Sequence, residues 1–245
     1  MRNLFVTGLS SDIAMAYIQK LDIANTDLKI WGTYHSNGEM LEKVISELRY
    51  IEVHPIVCDL SDGGQIVEIV RRLTKEDHVI DAYLHCASAQ IVYKRFRDFD
   101  WEDTKRQMDI KVGAFAKVCS VLAPAMAKHG KGRILALCSA YSIGMPPEHM
   151  ADYVVVNHAL IGLIRAIAKE YEGRNVCVNA ISPGMIKTKF LDNLDDRIAQ
   201  ITVNKTALGR CVTMDEVLAG IDYLLSEEAA CVNGINLNLS GGESV

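Results

Sequence analysis

Short apolar runs alternate with longer amphipathic stretches along the whole chain, and this alternation limits the folds available to it. Seven apolar runs have the length of short buried strands: Leu4–Val6, Lys29–Trp31, Val53–Val57, Ala82–Leu84, Arg133–Leu137, Val176–Ala180 and Ile235–Leu237. Six stretches between them carry apolar residues at three- and four-residue steps, as amphipathic helices do: 12–22, 38–48, 62–73, 101–128, 150–171 and 213–226. This order predicts βαβ units, and therefore a doubly wound α/β fold with a parallel sheet and helices on both faces.

A single domain is predicted for residues 1–245. One hydrophobic core can still serve a chain of 245 residues, and no linker, repeat or low-complexity segment divides it. Signals at the helix ends agree with the alternation. Ser61–Asp62 can cap the third helix, Thr213 and Glu216 have the spacing of a capping box, and Gly173 can end the helix before it.

Charge and cysteine usage exclude several classes of function. The net charge is -5 and like charges form no block, which argues against nucleic acid or an anionic membrane surface as a partner. No run approaches the roughly 18 apolar residues of a membrane span. The 7 cysteines form no C-x-x-C pair, and no His, Cys, Asp or Glu spacing is typical of a metal site. The sequence therefore predicts reduced core thiols, no metal and a cytoplasmic protein.

The turn after the first strand is a candidate phosphate site. Residues 7–14 read TGLSSDIA and open the first helix, whose free N–H groups would face an anion. Gly8 lets the chain turn, while Ser10 and Ser11 are small and offer hydroxyl groups. An ordinary connection from a strand to a helix has the same local pattern, so the turn alone leaves both interpretations open.

The same turn resembles the T-G-x-x-x-G-x-G motif of the short-chain dehydrogenases/reductases, and further matches follow in order to the C-terminus. These matches are Cys58–Leu60, Leu84–Ser88, Asn179–Thr188, Leu208–Arg210 and Ser240–Gly242. The resemblance implies a Rossmann-type fold with about seven parallel strands. It also implies a homodimer or homotetramer in which helices 101–128 and 150–171 pack between subunits.

The family's motifs imply a nicotinamide dinucleotide held by Gly8, Ser10, Ser11, Asp12, Ile13, His35, Ser36, Asp59, Leu60, Cys86, Ala87, Ser88, Pro183, Gly184, Ile186 and Thr188. The chain departs from these motifs in two places. Asp12 and Ala14 replace two turn glycines, and His85, Cys86 and Ser88 replace three residues of the family's N-N-A-G segment. Asp12 either repels a phosphate or points outward to complement the positive helix end. His85 is expected to make structural hydrogen bonds.

The end of the second strand favours NADP, with NAD as the alternative. An acidic residue there would bind a ribose 2′-hydroxyl and repel a 2′-phosphate. Residues 34–37 read YHSN, which contains no acidic residue and no arginine. All four of these side chains can offer hydrogen bonds.

The family's catalytic residues are a serine, a tyrosine, a lysine four residues after the tyrosine, and an asparagine on the helix after the fourth strand. Ser139 and Tyr153 match the first two. Asn157 occupies the lysine position and Lys111 occupies the asparagine position, so the two residues are exchanged.

The exchange matters because a tyrosine that moves protons near neutral pH needs help from its surroundings. Its hydroxyl titrates near 10, and a nearby ammonium favours the ionised form. Asn157 is neutral, whereas Lys111 can supply the charge if its stem reaches Tyr153. We expect Lys111→Ala to cripple turnover on this hypothesis. The alternative is that the exchange marks a lost active site.

The sequence thus favours an NAD(P)-dependent oxidoreductase that reduces a carbonyl, or oxidises an alcohol, of a small metabolite. Tyr153 would be the acid or base, Ser139 the partner of the substrate oxygen, Lys111 the tuning charge and Asn157 a contact to ribose or water. Two alternatives remain open. One is a dinucleotide-binding sensor or structural subunit without turnover. The other is an enzyme of the same fold with non-redox chemistry, such as a lyase or an epimerase.

Overall fold

The computed structural model describes residues 3–24, 27–75, 78–88, 92–186, 204 and 206–243. Its strands are β1 (Asn3–Thr7), β2 (Lys29–Tyr34), β3 (Glu52–Val57), β4 (Ala82–His85), β5 (Gly132–Leu137), β6 (Val176–Pro183) and β7 (Asn236–Leu239). Its helices are α1 (Asp12–Ile23), α2 (Gly38–Glu47), α3 (Gly63–Lys75), α4 (Trp101–Met108), α5 (Ala114–His129), α6 (Ala151–Glu170) and α7 (Met214–Leu225).

The seven strands form one parallel sheet in the order β3-β2-β1-β4-β5-β6-β7. This order confirms the predicted doubly wound fold. The direction of strand addition reverses between β1 and β4, and ligands of such sheets bind at the carboxyl ends of the strands beside this switch point. Thr7 and His85 are register partners at the ends of β1 and β4, so they stand at that point.

The predicted helix over 101–128 is present as one continuous helical segment, Trp101–His129, but its middle is a π-helical turn. Helix α4 ends at Met108, a π-helical turn covers Asp109–Gly113, and α5 then begins at Ala114. A π turn is wider than a turn of α-helix and does not break the apolar spacing enough to be noticed over a few residues. Gly113, a weak helix former, closes the turn. Lys111 therefore lies on a widened turn rather than on a regular helix.

The predicted helix ends are confirmed. Thr213 and Glu216 form a complete capping box at the start of α7. Asp62 Oδ1 accepts the N–H of Gly64 at 2.9 Å at the start of α3. Gly173, with φ of +76°, follows the end of α6.

Apolar side chains fill a layer on each face of the sheet. Phe5 and Tyr83 point to one layer, where they meet Phe115 of α5. Val6 and Leu84, their neighbours along the strands, point to the other layer, against α1 and α7. This alternation follows from the two-residue period of a strand, and it gives strands that are buried on both sides.

Two helical segments are apolar enough to span a membrane by length and composition alone. They are Trp101–His129 and Ala151–Glu170, with mean hydropathies of 1.5 and 1.4. Phe115, Val118, Leu160 and Ile164 on these segments are at most 1% exposed and belong to the core beside the sheet. We therefore interpret both as core helices of the α/β fold.

Candidate active site

Gly8 brings the turn after β1 against the end of β4. The N–H groups of Gly8 and Leu9 both donate to the Thr33 carbonyl, at 2.9 and 2.8 Å. Gly8 has φ of +76°, and a Cβ at this position would lie 2.6 Å from the backbone nitrogen of Ala87. Only glycine permits both this backbone conformation and this approach. The result is a close approach of the turn to the backbone after β4 at the switch point.

The next residues of the turn begin α1. Ser11 is the N-cap, and its Oγ accepts the N–H of Ala14 at 3.3 Å. The Ser11 hydroxyl therefore caps α1. Ser11 was predicted to contact the cofactor, and this capping role was not predicted. Ser10 is buried, Ile13 is half-buried, and Asp12 is exposed in the first helical turn. A carboxylate in that place complements the positive helix end, as one of the two interpretations of Asp12 expected.

Replacing Gly8 by alanine is expected to lower both stability and dinucleotide affinity. The positive φ costs about 1–2 kcal/mol for alanine, and the contact with the Ala87 backbone adds to it. Gly173→Ala is the matched control, because Gly173 has the same φ of +76° and a Cβ on it would meet only open space. Urea unfolding and fluorescence titration with NADPH measure the two effects. Equal destabilisation by the two substitutions would show that the contact with Ala87 is unimportant.

The remaining predicted cofactor residues lie along the same edge of the sheet. Asp59 Oδ1 accepts the N–H and the hydroxyl of Ser61, at 2.9 and 2.7 Å. These hydrogen bonds, aided by the charge of His35, hold the pKa of the Asp59 carboxyl below its usual value. Leu60, Cys86 and Ala87 are buried, whereas Ser36 and Ser88 are exposed at the ends of their loops.

Beyond β6, the chain packs tightly against the segment after β7. Pro183 ends β6, and the N–H of Gly184 donates to the Leu239 carbonyl at 3.0 Å. A Cβ on Gly184 would lie 2.9 Å from Cα of Ser240, which explains the glycine. Ile186 forms a parallel bridge with Val212. Thr188, also predicted to contact the cofactor, lies outside the described residues.

Three fully buried polar groups meet beneath the switch point. Thr7 Oγ1 lies 2.6 Å from His85 Nδ1, Tyr83 Oη lies 2.9 Å from the same nitrogen, and the two hydroxyl oxygens are 3.0 Å apart. Burial and the nearby Lys111 ammonium lower the pKa of His85 to about 3, so the ring is neutral. The structural hydrogen bonds expected of His85 are present.

Tyr153 is joined to Ser139 and Asn157. Tyr153 lies in the first turn of α6, with Asn157 one turn later. The Ser139 and Asn157 side chains both act on the phenol in the direction that lowers its pKa. Asn157 is fully buried, and its Nδ2 also donates to the Tyr153 carbonyl at 2.8 Å. Among the described residues, Oδ1 of Asn157 has no hydrogen-bond partner.

Lys111 completes the group of four. Its side chain extends from the π turn, is 3% exposed, and places Nζ 5.7 Å from the centroid of the Tyr153 ring. This is a cation–π arrangement, with the ammonium over the ring face. The structure thus brings all four predicted catalytic residues together, on the π turn, on α6 and just after β5. The π turn itself was missed, since no local sequence signal marks it.

Burial dominates the electrostatics of this group. It is the largest cause that raises the pKa of Tyr153, and it outweighs the lowering effects of Ser139 and Asn157. Burial also lowers the pKa of Lys111. A lysine-tuned phenol was expected to shift downward, but here desolvation disfavours the charged form of both groups. Tyr153 therefore keeps its proton through the neutral range.

Sequence reasoning assigned Cys86 to the cofactor and gave no role to Cys138, and it did not place either thiol beside Lys111. Cys86 and Cys138 are buried, and their pKa values are raised by burial to about 12 and about 11. Neutral thiols leave the lysine in a weakly polar pocket with no carboxylate among the groups that shift its pKa. Within the described part of the chain, no group of three or more His, Cys, Asp or Glu side chains could hold a metal ion.

A separate cleft of about 410 Å³ lies at the opposite, amino-terminal edge of the sheet. Its polar side chains bind one another and the protein backbone. Lys131 pairs with Asp81 at 3.6 Å, and Arg133 Nε donates to the Ser226 carbonyl at 3.0 Å. None of the predicted site residues lines it, so we place the functional site at the carboxyl edge.

A parallel sheet with a glycine turn at its switch point, beside a half-buried tyrosine and a buried lysine, defines a Rossmann-type dinucleotide-binding protein. A family model described as enoyl-(acyl carrier protein) reductase matches residues 8–244. The chain belongs to the short-chain dehydrogenase/reductase family, a family of NAD(P)-dependent oxidoreductases.

Relatives and solved structures agree with this membership. The 3-oxoacyl-(acyl-carrier-protein) reductase of Thermotoga maritima is 27% identical over 209 residues, which cover 83% of each chain. A putative gluconate dehydrogenase from Agrobacterium tumefaciens superposes with a TM-score of 0.90 at 22% identity, over 100% of this chain and 96% of the other. A short-chain dehydrogenase from Burkholderia cenocepacia J2315, solved in complex with NADP, gives 0.87 at 22% identity, over 100% and 98%.

Proposed function

We propose that this protein is an NADPH-dependent reductase of a carbonyl group in a small metabolite. The observation that carries the proposal is the half-buried Tyr153, which keeps its proton, has its pKa shifted by Ser139 and Asn157, and has the Lys111 ammonium over its ring at 5.7 Å. Reduction of a carbonyl requires a proton donor, whereas alcohol oxidation requires a base. A phenol whose pKa is raised by burial suits the first direction.

The residues at the carboxyl edge fit a dinucleotide. Gly8 and Gly184 let backbone segments pack closely at this edge, because a Cβ at Gly8 would meet the backbone of Ala87 and a Cβ at Gly184 would meet the backbone of Ser240. Asn157 Oδ1 is buried and can accept a hydrogen bond from a ribose hydroxyl. We assign the other contacts to the predicted residues of the turn, the β2, β3 and β4 ends and the segment after β6. The dinucleotide would supply the hydride.

The end of β2 supports NADP over NAD. The segment from Tyr34 to Asn37 has no carboxylate that would repel a 2′-phosphate. His35 and Ser36 can donate to that phosphate.

Residues of the chain would bind the substrate, donate the proton and stabilise the charge that forms. Ser139 donates a hydrogen bond to the substrate carbonyl oxygen and fixes its position. Tyr153 gives its phenolic proton to that oxygen as the carbonyl carbon is reduced, so the products are an alcohol and a tyrosinate. Lys111 stabilises the tyrosinate through its ammonium over the ring, where low polarity strengthens the attraction. A proton from water restores Tyr153.

Binding of NADPH and NADH, titrated side by side by fluorescence, tests the cofactor assignment. We expect saturable binding that is tighter for NADPH. A screen of ketones and 3-oxoacyl thioesters, followed through NADPH absorbance, then tests the reaction. The thioesters come first because the T. maritima relative is a 3-oxoacyl reductase. Equal or tighter binding of NADH would refute the NADP assignment, and binding of neither would refute the dinucleotide site.

A dinucleotide-binding protein without turnover is the second candidate. One observation favours it. Asn157 stands where the family has its lysine, and its amide nitrogen donates a hydrogen bond to the Tyr153 carbonyl of the same helix. Tight NADPH binding without hydride transfer to any carbonyl in the screen would favour this candidate.

The proposal also includes a cytoplasmic homodimer or homotetramer that buries the helices around 101–128 and 150–171 between subunits. Trp101 and Val155 on these helices are 57% and 44% exposed in the single chain, which supports the assignment. Sedimentation velocity on the purified protein measures the state, and a monomer at micromolar concentration would refute it.

A further inference from the structure

The turn that follows β5 holds Ser139 in place, and it contains a second serine for which the sequence predicted no role. Ser139 is the N-cap of a single 3₁₀ turn over Ala140–Ser142. Ser139 and Ser142 are buried, at 8% and 7% exposure. The N–H of Cys138 donates to the Ile181 carbonyl of β6 at 2.8 Å, which fixes the residue before Ser139 to the sheet. The turn supplies the contacts on the other side.

Ser142 binds the Ser139 carbonyl twice. Its backbone N–H donates to that oxygen at 3.0 Å, and its side chain forms a buried hydrogen bond to the same oxygen at 2.6 Å. A carbonyl oxygen can only accept, so the Ser142 hydroxyl must be the donor. Without this hydroxyl, a single backbone hydrogen bond would link Ser142 to Ser139.

The same turn sets the direction of the Ser139 hydroxyl. The N–H of Tyr141 donates to Ser139 Oγ at 3.3 Å. Because Oγ accepts from the main chain, its own proton points to a different group. A hydroxyl held in this way is ready to donate, which is what a substrate carbonyl oxygen requires of it. The place of the Tyr141 N–H depends on how tightly the turn closes, and therefore on Ser142.

We propose that Ser142 is a positioning residue for Ser139. Its hydroxyl holds the Ser139 carbonyl, keeps the 3₁₀ turn closed, and so keeps the Tyr141 N–H on Ser139 Oγ and the hydroxyl proton directed at the substrate. This inference rests on the proposed function, because the direction of that proton affects turnover only if Ser139 binds a carbonyl oxygen. Ser142 acts through Ser139 and needs no contact of its own with substrate or cofactor.

Ser142→Ala tests the proposal by removing one buried hydroxyl group. We expect kcat for carbonyl reduction to fall roughly tenfold, because a misplacement of about 1 Å costs about 10²-fold and a loosened turn displaces Ser139 by less. KM for NADPH should change little. Ser46→Ala is the matched control and should keep the wild-type kcat. The Ser46 hydroxyl also donates to the carbonyl three residues earlier, that of Lys43 at 2.7 Å, but it is exposed on α2.

A double-mutant cycle separates the positioning of Ser139 from a general structural effect. In the Ser139→Ala background, Ser142→Ala should lower kcat no further, because the hydroxyl that Ser142 positions is already absent. A similar loss of kcat in both backgrounds would overturn the proposal, and so would a wild-type kcat in the single variant Ser142→Ala.

Hydrogen–deuterium exchange of the unliganded protein supplies a readout that needs no activity. Ser142→Ala should speed exchange at the amides of 141–143, whereas Ser46→Ala should leave this segment at the wild-type rate. Unchanged exchange in Ser142→Ala would overturn the inference. If exchange changes as expected but the wild type reduces no carbonyl, the proposed function fails, while the contact by which Ser142 closes the turn stands.

Discussion

Tyr153→Phe is expected to lower kcat for carbonyl reduction by roughly 10³-fold, the contribution typical of a positioned general acid. The substitution removes the phenolic oxygen and its proton, and it leaves the ring beneath Lys111. Affinity for NADPH should change little, because the predicted dinucleotide contacts of the chain are made by other residues. Stopped-flow measurement of hydride transfer at saturating NADPH gives the value without interference from product release.

Tyr171→Phe is the matched control for this substitution. It makes the same chemical change just beyond the end of α6, away from Ser139 and Lys111, and kcat should stay at the wild-type value. Unfolding midpoints for both variants separate a loss of catalysis from a loss of fold. A Tyr153→Phe enzyme that keeps a tenth or more of wild-type kcat would mean that water or another side chain supplies the proton.

The raised pKa of Tyr153 predicts the pH range of the reaction. The acid form is needed for reduction, so the rate persists below the pKa of Tyr153 and is lost as pH rises through it. Since burial moves that pKa above its ordinary value near 10, Tyr153 alone leaves the rate flat through the neutral range. A loss of rate as pH rises that begins below the pKa of Tyr153 must come from another group, and the Lys111 ammonium, whose pKa is lowered by burial, would be lost in that direction.

The order of strands and helices could be predicted because it depends on local alternation. The strand limits were less accurate where local residues look like a loop. Strand β2 continues through Gly32–Tyr34, three residues past the predicted end. A glycine there allows Leu9 to pack against the strand, since a Cβ on Gly32 would lie 2.6 Å from Leu9 Cδ2. That contact joins residues far apart in sequence, so no local sequence pattern predicts it.

The members of the candidate catalytic group could be predicted to lie together, but their electrostatics could not. Ser139, Tyr153 and Asn157 follow from motif spacing, and Lys111 follows from alignment around one helix. The depth of burial depends on how β4, α5 and α6 pack together, which spacing does not give. The expected downward shift of the Tyr153 pKa therefore missed the desolvation that raises it. The cluster of Thr7, Tyr83 and His85 likewise needs the pairing of β1 with β4.

The second large effect on kcat is expected at Lys111, one of the two exchanged residues. Lys111→Met keeps the length and apolar character of the side chain and removes its charge. We expect kcat to fall by roughly 10²-fold or more, because the tyrosinate formed at Tyr153 loses its stabilising cation. The free energy of unfolding should stay the same or rise, because the substitution removes a buried charge that has no carboxylate among the groups that shift its pKa.

The pH profile of Lys111→Met identifies the ionisation of the lysine. If the ammonium is required, the wild-type rate is present below the pKa of Lys111 and is lost as pH rises through that lowered value. The Met variant should show a low rate with this limb missing. Lys128→Met, an exposed change on α5, is the control and should keep both rate and profile. If the rate of Lys111→Met still falls as pH rises in the same range, that fall reports the ionisation of another group.

The double substitution Lys111→Asn with Asn157→Lys tests whether the two positions are interchangeable. Lys111→Asn alone should be as impaired as Lys111→Met. Adding Asn157→Lys returns a lysine to the position one turn after Tyr153, on the same face of α6. If the exchange moved one charge within a shared site, the double variant should recover kcat by roughly tenfold or more over the single variant. If it stays as inactive as the single variant, position 111 holds the charge in a way that position 157 of this chain cannot reproduce.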